Sequence, residues 1–562
     1  MLDSPLHEQP LLRYKVDIIE KAFRSFTKTV MVGFFDENMK KVTEFKFGYV
    51  SNEEICAWID EGKDINLNGA YILNFSLTDY RVEKGLDDSV FIKLNNFSAK
   101  KAFFDCDVKS DFSYAEFIGP KTIFDAAIFG NGGADFNHAN FGDGDTSFKK
   151  GKFGSGMVNF QFATFGAGDT SFNGVCFGNG NVSFVSTDFN KGNADFKNTY
   201  WGDGVVDFKF GKFSEGDVTF EKAQFGRGKK DFKNLEFGGG KIDFRRVEFN
   251  DGDVCFDGVE FGDGKVSFRS SSFGHGEITF KEADFAMGEV QFDQVDFGSG
   301  KVSFNQAKAD HMSFKNCPLN AYMDLRFASC NLIELSNTVV RDIVDLMPED
   351  NEIHLKELNI IGMRILGKLF IDWKRNDVFN LIYVQKETTL EQKAEQFRTL
   401  KENFRNNGQY EDEDKAYLEF KRCESKAHLE ESIKKGGLHK PLGYINYYFQ
   451  LYVFDFVGRY ATDPTRVIAN MLISWFTFSI IYYVVSELFP KFGYVASTIG
   501  AGLDVRHDLG NSFYYSGITF FTIGYGDYFA MGYLKPVAVF EGFSGVFLMS
   551  YFTVAFVRKI LR

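Results

Sequence analysis

Six consecutive residues, Thr522-Ile523-Gly524-Tyr525-Gly526-Asp527, have the types and order to bind a bare cation with backbone oxygens. If the carbonyls of Thr522, Ile523, Gly524 and Tyr525 turn to one side, they stack as rings of hard ligands, and the Thr522 hydroxyl adds one more. Successive carbonyls face one way only when alternate residues take backbone angles that glycine adopts cheaply. Gly524 and Gly526 stand at that alternation. Ile523 and Tyr525 then point back and brace the loop. Taken alone, the string also reads as a glycine turn in a soluble loop, so its flanks decide.

Val467–Phe489 is apolar with one acid, Glu487, near its end, and Val537–Val557 is apolar with one acid, Glu541. Each is long enough to cross a hydrocarbon core of about 30 Å. Between them Asn511–Phe521 is apolar, aromatic and too short to span, which suits a re-entrant helix. Irregular backbone at membrane depth survives only where it lines a cavity or is buried in protein. The order is span, half-helix, six-residue string, span.

Over Thr465–Arg562 this pattern resembles the two-transmembrane potassium channel family. The resemblance implies a selectivity filter at Thr522, Ile523, Gly524, Tyr525 and Gly526. K+ is then the permeant ion, held at the first four, and no other cofactor is implied. Tyr514-Tyr515 fall where many members carry a Trp-Trp pair packed on the filter tyrosine. Gly545 falls at the helix-hinge glycine, with Gly542 a nearby competitor. Phe552 and Phe556, on the inner half of the last helix, read as a hydrophobic gate. Ile518 stands where some members carry a glutamate paired with the aspartate after the filter, here Asp527. The inactivation of those members is therefore not implied. Filter support is assigned to Asp527, Tyr514, Tyr515 and Ile518.

One pore unit cannot close a ring, and the chain has one such string, so a homotetramer is expected. Arg459 and Arg466 precede the first span, and Arg558, Lys559 and Arg562 follow the second; the linker carries Lys491, Arg506 and Lys535. This bias places both ends in the cytoplasm of a multi-pass plasma or inner membrane protein. The opening MLDSPLHEQP is polar and does not read as a signal peptide. Seven scattered cysteines without a Cys-x-x-Cys pair suit a reducing compartment and small buried hydrophobes. No catalytic constellation is evident, and the chain is not read as an enzyme. No span carries arginines at three-residue spacing, so voltage sensing by a charged helix is not expected.

The remainder is dominated by 68 Phe and 55 Gly. Phenylalanine recurs every twelve residues from Phe112 through Phe124 and Phe136 to Phe304. A second series runs from Phe117 through Phe129 to Phe297, interrupted by Trp201. Small or β-branched residues precede many of these aromatics by two (Ala134, Val158, Val182, Ala194). This small-x-Phe pattern at spacings of five and seven resembles the pentapeptide-repeat family, with a two-residue Gly-x-Gly insertion at corners. It predicts a right-handed quadrilateral β-helix of 24 residues per coil, with regular repeats over 112–308. About eight coils at about 4.8 Å make a rod of roughly 40 Å. The rival is a flat two-sided coil of twelve residues. Corner acids such as Asp143, Asp145, Asp251 and Asp253 invite a calcium reading against solvated turns; lysine often replaces them (Lys229, Lys241, Lys265, Lys301). A net charge of −13 does not by itself extend to nucleic-acid mimicry. No nucleic-acid partner is expected, and a regulatory ligand or protein is unassigned.

The expected organisation is a multidomain chain. A mixed cap spans 1–60, with a short helix at Asp17–Thr27 and strands at Thr29–Phe35 and Lys41–Val50. The β-helix spans 61–385. A helical hairpin spans 386–436, opened by a Thr389/Gln392 capping box and broken at Asn407-Gly408. An amphipathic aromatic helix lies on the membrane lipid over 441–462, after a break from Gly436-Gly437 to Pro441. The pore domain spans 465–562. The rival to a channel is a scaffold protein whose membrane part is only an anchor.

Overall fold

The computed structural model describes residues 11–348, 354–498 and 508–561. Met1–Pro10, Arg506 and Arg562, used above in charge and signal arguments, lie outside the described residues. The chain divides into two compact units, Met1–Lys386 and Glu387–Arg562.

The first unit is a parallel β-solenoid of about 13 turns over residues 48–370. Its register answers the repeat. Ala134 pairs with Val158, Val158 with Val182, and Val182 with Val206. Each partner is 24 residues on, so two twelve-residue units make one coil, and the flat coil is excluded. Phe124, Phe129, Phe136 and Phe141 of one coil stack on Phe148, Phe153, Phe160 and Phe165 of the next. Their ring centroids lie 4.7, 4.5, 4.7 and 4.4 Å apart with planes within 6°. Neighbouring faces meet edge-on, as Phe124 and Phe136 do at 5.6 Å and 86°. Offset stacks and edge contacts both suit the ring quadrupole, so one residue type fills four ladders. Trp201 keeps the stack because its indole N–H donates to the Thr199 hydroxyl at 2.9 Å. After Phe304 the coil shortens: Val302 pairs with Met323, 21 residues on.

Two corner expectations change. Gly192 and Gly216 have φ outside the left-handed region, but a Cβ on either would lie 1.9 or 2.1 Å from the carbonyl oxygen of Gly168 or Gly192. Close approach of coils, not backbone angle, demands glycine there. The corner acids are neither free ligands nor merely solvated. Asp253 accepts the Glu277 N–H at 2.9 Å, Asp251 that of His275 at 3.3 Å, Asp145 that of Asp169 and Asp143 that of Ala167, both at 3.3 Å. Each caps the next coil's corner.

The cap is a meander of β1 (Arg13–Ile19), β2 (Thr29–Phe35) and β3 (Lys41–Val50), and β3 runs parallel to Ala70–Leu73 of the solenoid. The helix expected over Asp17–Thr27 is thus replaced by a strand and a Phe23/Phe26 turn. Pairing with β2 decides it, together with the Tyr14 hydroxyl, which donates to Asp105 at 2.6 Å. Two helices interrupt the early chain, α1 (Asn52–Asp60) and α2 (Leu77–Lys84), and α3 (Val378–Tyr383) follows the last strand, Lys368–Phe370. All three lie where the repeat pattern is loose. Six of the seven cysteines are buried, and burial pushes the Cys317 and Cys330 thiols up to about 12.

One rung departs from the pattern. Lys230 stands between Val206 and Val254 in an inward ladder, is 1 % exposed, and donates through Nζ to the Asp251 carbonyl. Burial lowers its pKa from 10.5 to about 8. Below about pH 8 both folded and unfolded chains hold the proton and the burial penalty is full. Between 8 and 10.5 the unfolded chain binds more protons, so stability rises with pH. Lys230→Val is expected to raise the thermal midpoint of the full chain by a few degrees at pH 7. The gain should shrink in scans at pH 9.5; a gain that is absent or independent of pH would contradict this account.

Candidate functional site

The second unit starts with α4 (Leu390–Asn406) and α5 (Tyr410–Lys435), an antiparallel hairpin. Thr389 and Gln392 form the capping box, and Gly408 turns the chain at φ +74. Next comes α6 (His439–Phe449), which continues as a π-helical stretch through Phe456. Pro441 sits in the first turn of α6, where its missing N–H costs nothing, so the break is Gly436-Gly437 alone. Exposed Leu442, Ile445, Phe449, Tyr452 and Phe456 recur at three and four residues along this segment. Arg459, Tyr460 and Ala461 then take three consecutive left-handed conformations, φ +48, +53 and +62, which ends the helix short of residue 462.

Three helices make the pore unit. Two are long and apolar enough to cross a membrane: α7 (Pro464–Leu488) and α9 (Leu534–Ile560). Between them lies α8 (Leu509–Phe520), capped by Asp508, whose side chain accepts the Gly510 N–H. Asp463 caps α7 in the same way, with Pro464 at its first position.

The loop after α8 has the alternation its sequence demands. Thr522, Gly524 and Gly526 have φ +55, +61 and +78, while Ile523 and Tyr525 between them do not. Thr522 pays for a conformation that the two glycines take freely. The N–H groups of Ile523 and Gly524 donate to the Ile518 carbonyl at 2.8 and 3.2 Å, so the loop hangs from the end of α8. At its far end Asp527 accepts the Tyr514 hydroxyl at 2.9 Å. Tyr528–Ala530 pairs with Val495–Ser497, and the Tyr528 hydroxyl donates to Asn511 at 3.1 Å. Ile523 and Tyr525 are 52 % and 71 % exposed in the single chain.

The tyrosine pair is split. Tyr514 reaches Asp527, but Tyr515 packs edge-on against Tyr482 of α7 at 4.9 Å, beside Ile518. The two glycines of α9 differ as well. A Cβ on Gly545 would lie 1.9 Å from the Phe520 carbonyl oxygen, whereas one on Gly542 would be 3.8 Å from its nearest neighbour. Gly545 is therefore required for helix packing, and α9 is helical through both. Phe552 and Phe556 stack at 5.5 Å; Phe552 also packs on the Tyr551/Val467 cluster, and Phe556 is the exposed one.

Sequence reading missed the contacts at the C-terminal end of α9. Asp414 of α5 accepts from Arg558 at 3.0 Å and Lys559 at 2.9 Å, and the Arg558 guanidinium lies 4.3 Å over the Tyr417 ring. Arg422 of α5 grips Asp455 with two bonds of 2.8 and 2.9 Å. The Tyr551 hydroxyl of α9 accepts the Ala461 N–H and donates to the Phe454 carbonyl. The signal in the sequence was faint: acids leading α5 and bases closing α9, each explicable by its own helix dipole.

The family model described as Ion channel matches residues 470–562. No curated protein and no solved structure matches the chain. Residues 470–562, which hold most of α7, the short helix α8, its loop and α9, are thus similar to an ion-channel family and carry two candidate membrane helices, and the first unit of the chain is a β-solenoid.

Proposed function

We propose that this protein is a potassium-selective channel in which four copies surround one pore. The observation that carries the reading is the left-handed alternation at Thr522, Gly524 and Gly526. It frees the carbonyls of Thr522 to Tyr525 to face one axis and replace the water shell of K+. Fourfold assembly also covers Ile523 and Tyr525, which one chain leaves exposed. Ions move passively down their gradient, in single file, repelling one another between adjacent sites.

The basic residues Arg459, Arg466, Arg558 and Lys559 at the span ends favour a cytoplasmic solenoid and C-terminus. The exposed apolar stripe of α6 rests in the membrane interface. Gating reaches the pore through α5. Its Asp414 holds the last basic residues of α9, and its Arg422 holds the segment leading into α7. With α9 continuously helical through Gly542 and Gly545, a pinned end favours the closed pore at Phe556. The scaffold reading needs neither the filter string nor the alternation, and ion flux separates the two.

Reconstituted full-length protein should pass K+ into vesicles and Gly524→Asp should abolish it; equal flux in both would sink the channel reading. Asp414→Ala should raise single-channel open probability about fivefold or more, the scale of a coupling of 1–3 kcal/mol, with unitary conductance unchanged. An unaltered open probability would remove the hairpin from gating.

A further inference from the structure

Glu541 is an acid two turns into α9, a helix long and apolar enough to cross a membrane, and is 0 % exposed. Two hydroxyls donate to its carboxyl group: Tyr482 of α7 to Oε2 at 2.7 Å, and Ser516 of α8 to Oε1. The Ser516 hydroxyl also lies 3.2 Å from the Trp475 carbonyl of α7. One carboxyl group therefore joins the two spans and the half-helix. Burying it costs more than burying a leucine of similar size, and an apolar side chain at all three positions would fill the same space without that cost. Stability alone does not account for it, and an ionisable residue at membrane depth points to function.

Its place relative to the filter suggests what it does. Ser516 is two residues before Ile518, whose carbonyl takes the N–H groups of Ile523 and Gly524. A tilt of α8 moves that carbonyl and the first peptides of the filter with it. Four residues beyond Glu541, Gly545 lies against the Phe520 carbonyl, so α9 holds α8 at two points one turn apart. Ile518 itself offers no carboxyl to Asp527, whose partner is the Tyr514 hydroxyl.

We infer that Glu541 is a positioning residue for the filter: through Ser516 it fixes α8 behind Thr522–Gly524, and so sets the cation preference and the time the filter stays conductive. This rests on the channel reading above. The test uses full-length protein in planar bilayers, comparing wild type with Glu541→Leu, Glu541→Gln and Ser516→Ala. Glu541→Leu keeps the volume but leaves the buried Tyr482 hydroxyl without its acceptor, so it is expected to lower the thermal midpoint by a few degrees. It should also raise the sodium-to-potassium permeability ratio, or shorten conducting bursts, by about tenfold, the scale of one lost buried hydrogen bond. Ser516→Ala should do the same, and the double variant should go no further than the larger single effect. Glu541→Gln, which keeps one acceptor oxygen, should recover part of the loss. Folded Glu541→Leu and Ser516→Ala proteins with wild-type permeability and bursts would overturn the inference. If Glu541→Leu fails to fold, Ser516→Ala and Tyr482→Phe, each lacking one donor, decide by the same two readouts. Wild-type current without preference for K+ would defeat the potassium reading instead, and burst duration would still report on Glu541.

Discussion

Carbonyls on successive residues face one way only if the backbone angles alternate, and in the second unit that constraint falls on the six residues Thr522–Asp527. Left-handed backbone at Thr522, Gly524 and Gly526 supplies the alternation. The Ile518 carbonyl ties down the entry to the loop and Tyr514 the exit. Such a loop is unstable by itself, because its own hydrogen bonds are few. It persists because α7, α8 and α9 over-determine it, through Tyr482, Ser516 and Glu541 behind it and the Gly545–Phe520 contact beside it. The cost at Thr522 is borne by this frame.

A different constraint organises the solenoid. Each coil can bury its aromatic face only against its neighbours, so the ladders must repeat at one spacing. Stacked phenylalanines meet that need, and the corners follow from it: coils this close leave no room for a Cβ at Gly192 or Gly216, and a corner N–H must find an acceptor, which Asp253 or Asp145 of the previous coil supplies. Acidic corners are thus a backbone device. Much of the net charge of −13 belongs to this scaffold chemistry and needs no cationic ligand to explain it.

Between the two kinds of order lie α4, α5 and α6, where charge does the joining. Asp414 meets Arg558 and Lys559, and Arg422 meets Asp455. The three left-handed residues at Arg459–Ala461, held by the Tyr551 hydroxyl, store strain at the same junction.

The amino-acid sequence alone determined whatever depends on local period and residue type. The 24-residue coil was legible because twelve-residue spacing of Phe leaves few ways to stack, and the helices α7 and α9 because each is a long, nearly uninterrupted apolar run. The backbone alternation over Thr522–Gly526 was legible because few residues other than glycine tolerate it. Tertiary structure decided what depends on who sits opposite. Asp17–Ile19, expected to open a helix through Thr27, instead ends the strand Arg13–Ile19 because β2 lies beside it. Tyr514 and Tyr515, adjacent in sequence, part toward Asp527 and Tyr482. Gly545 is distinguished from Gly542 only by the Phe520 carbonyl across from it. Glu541 and Asp414 look in sequence like a stray acid and a helix-start acid. Their partners lie 25 to 145 residues away, a distance no local pattern records.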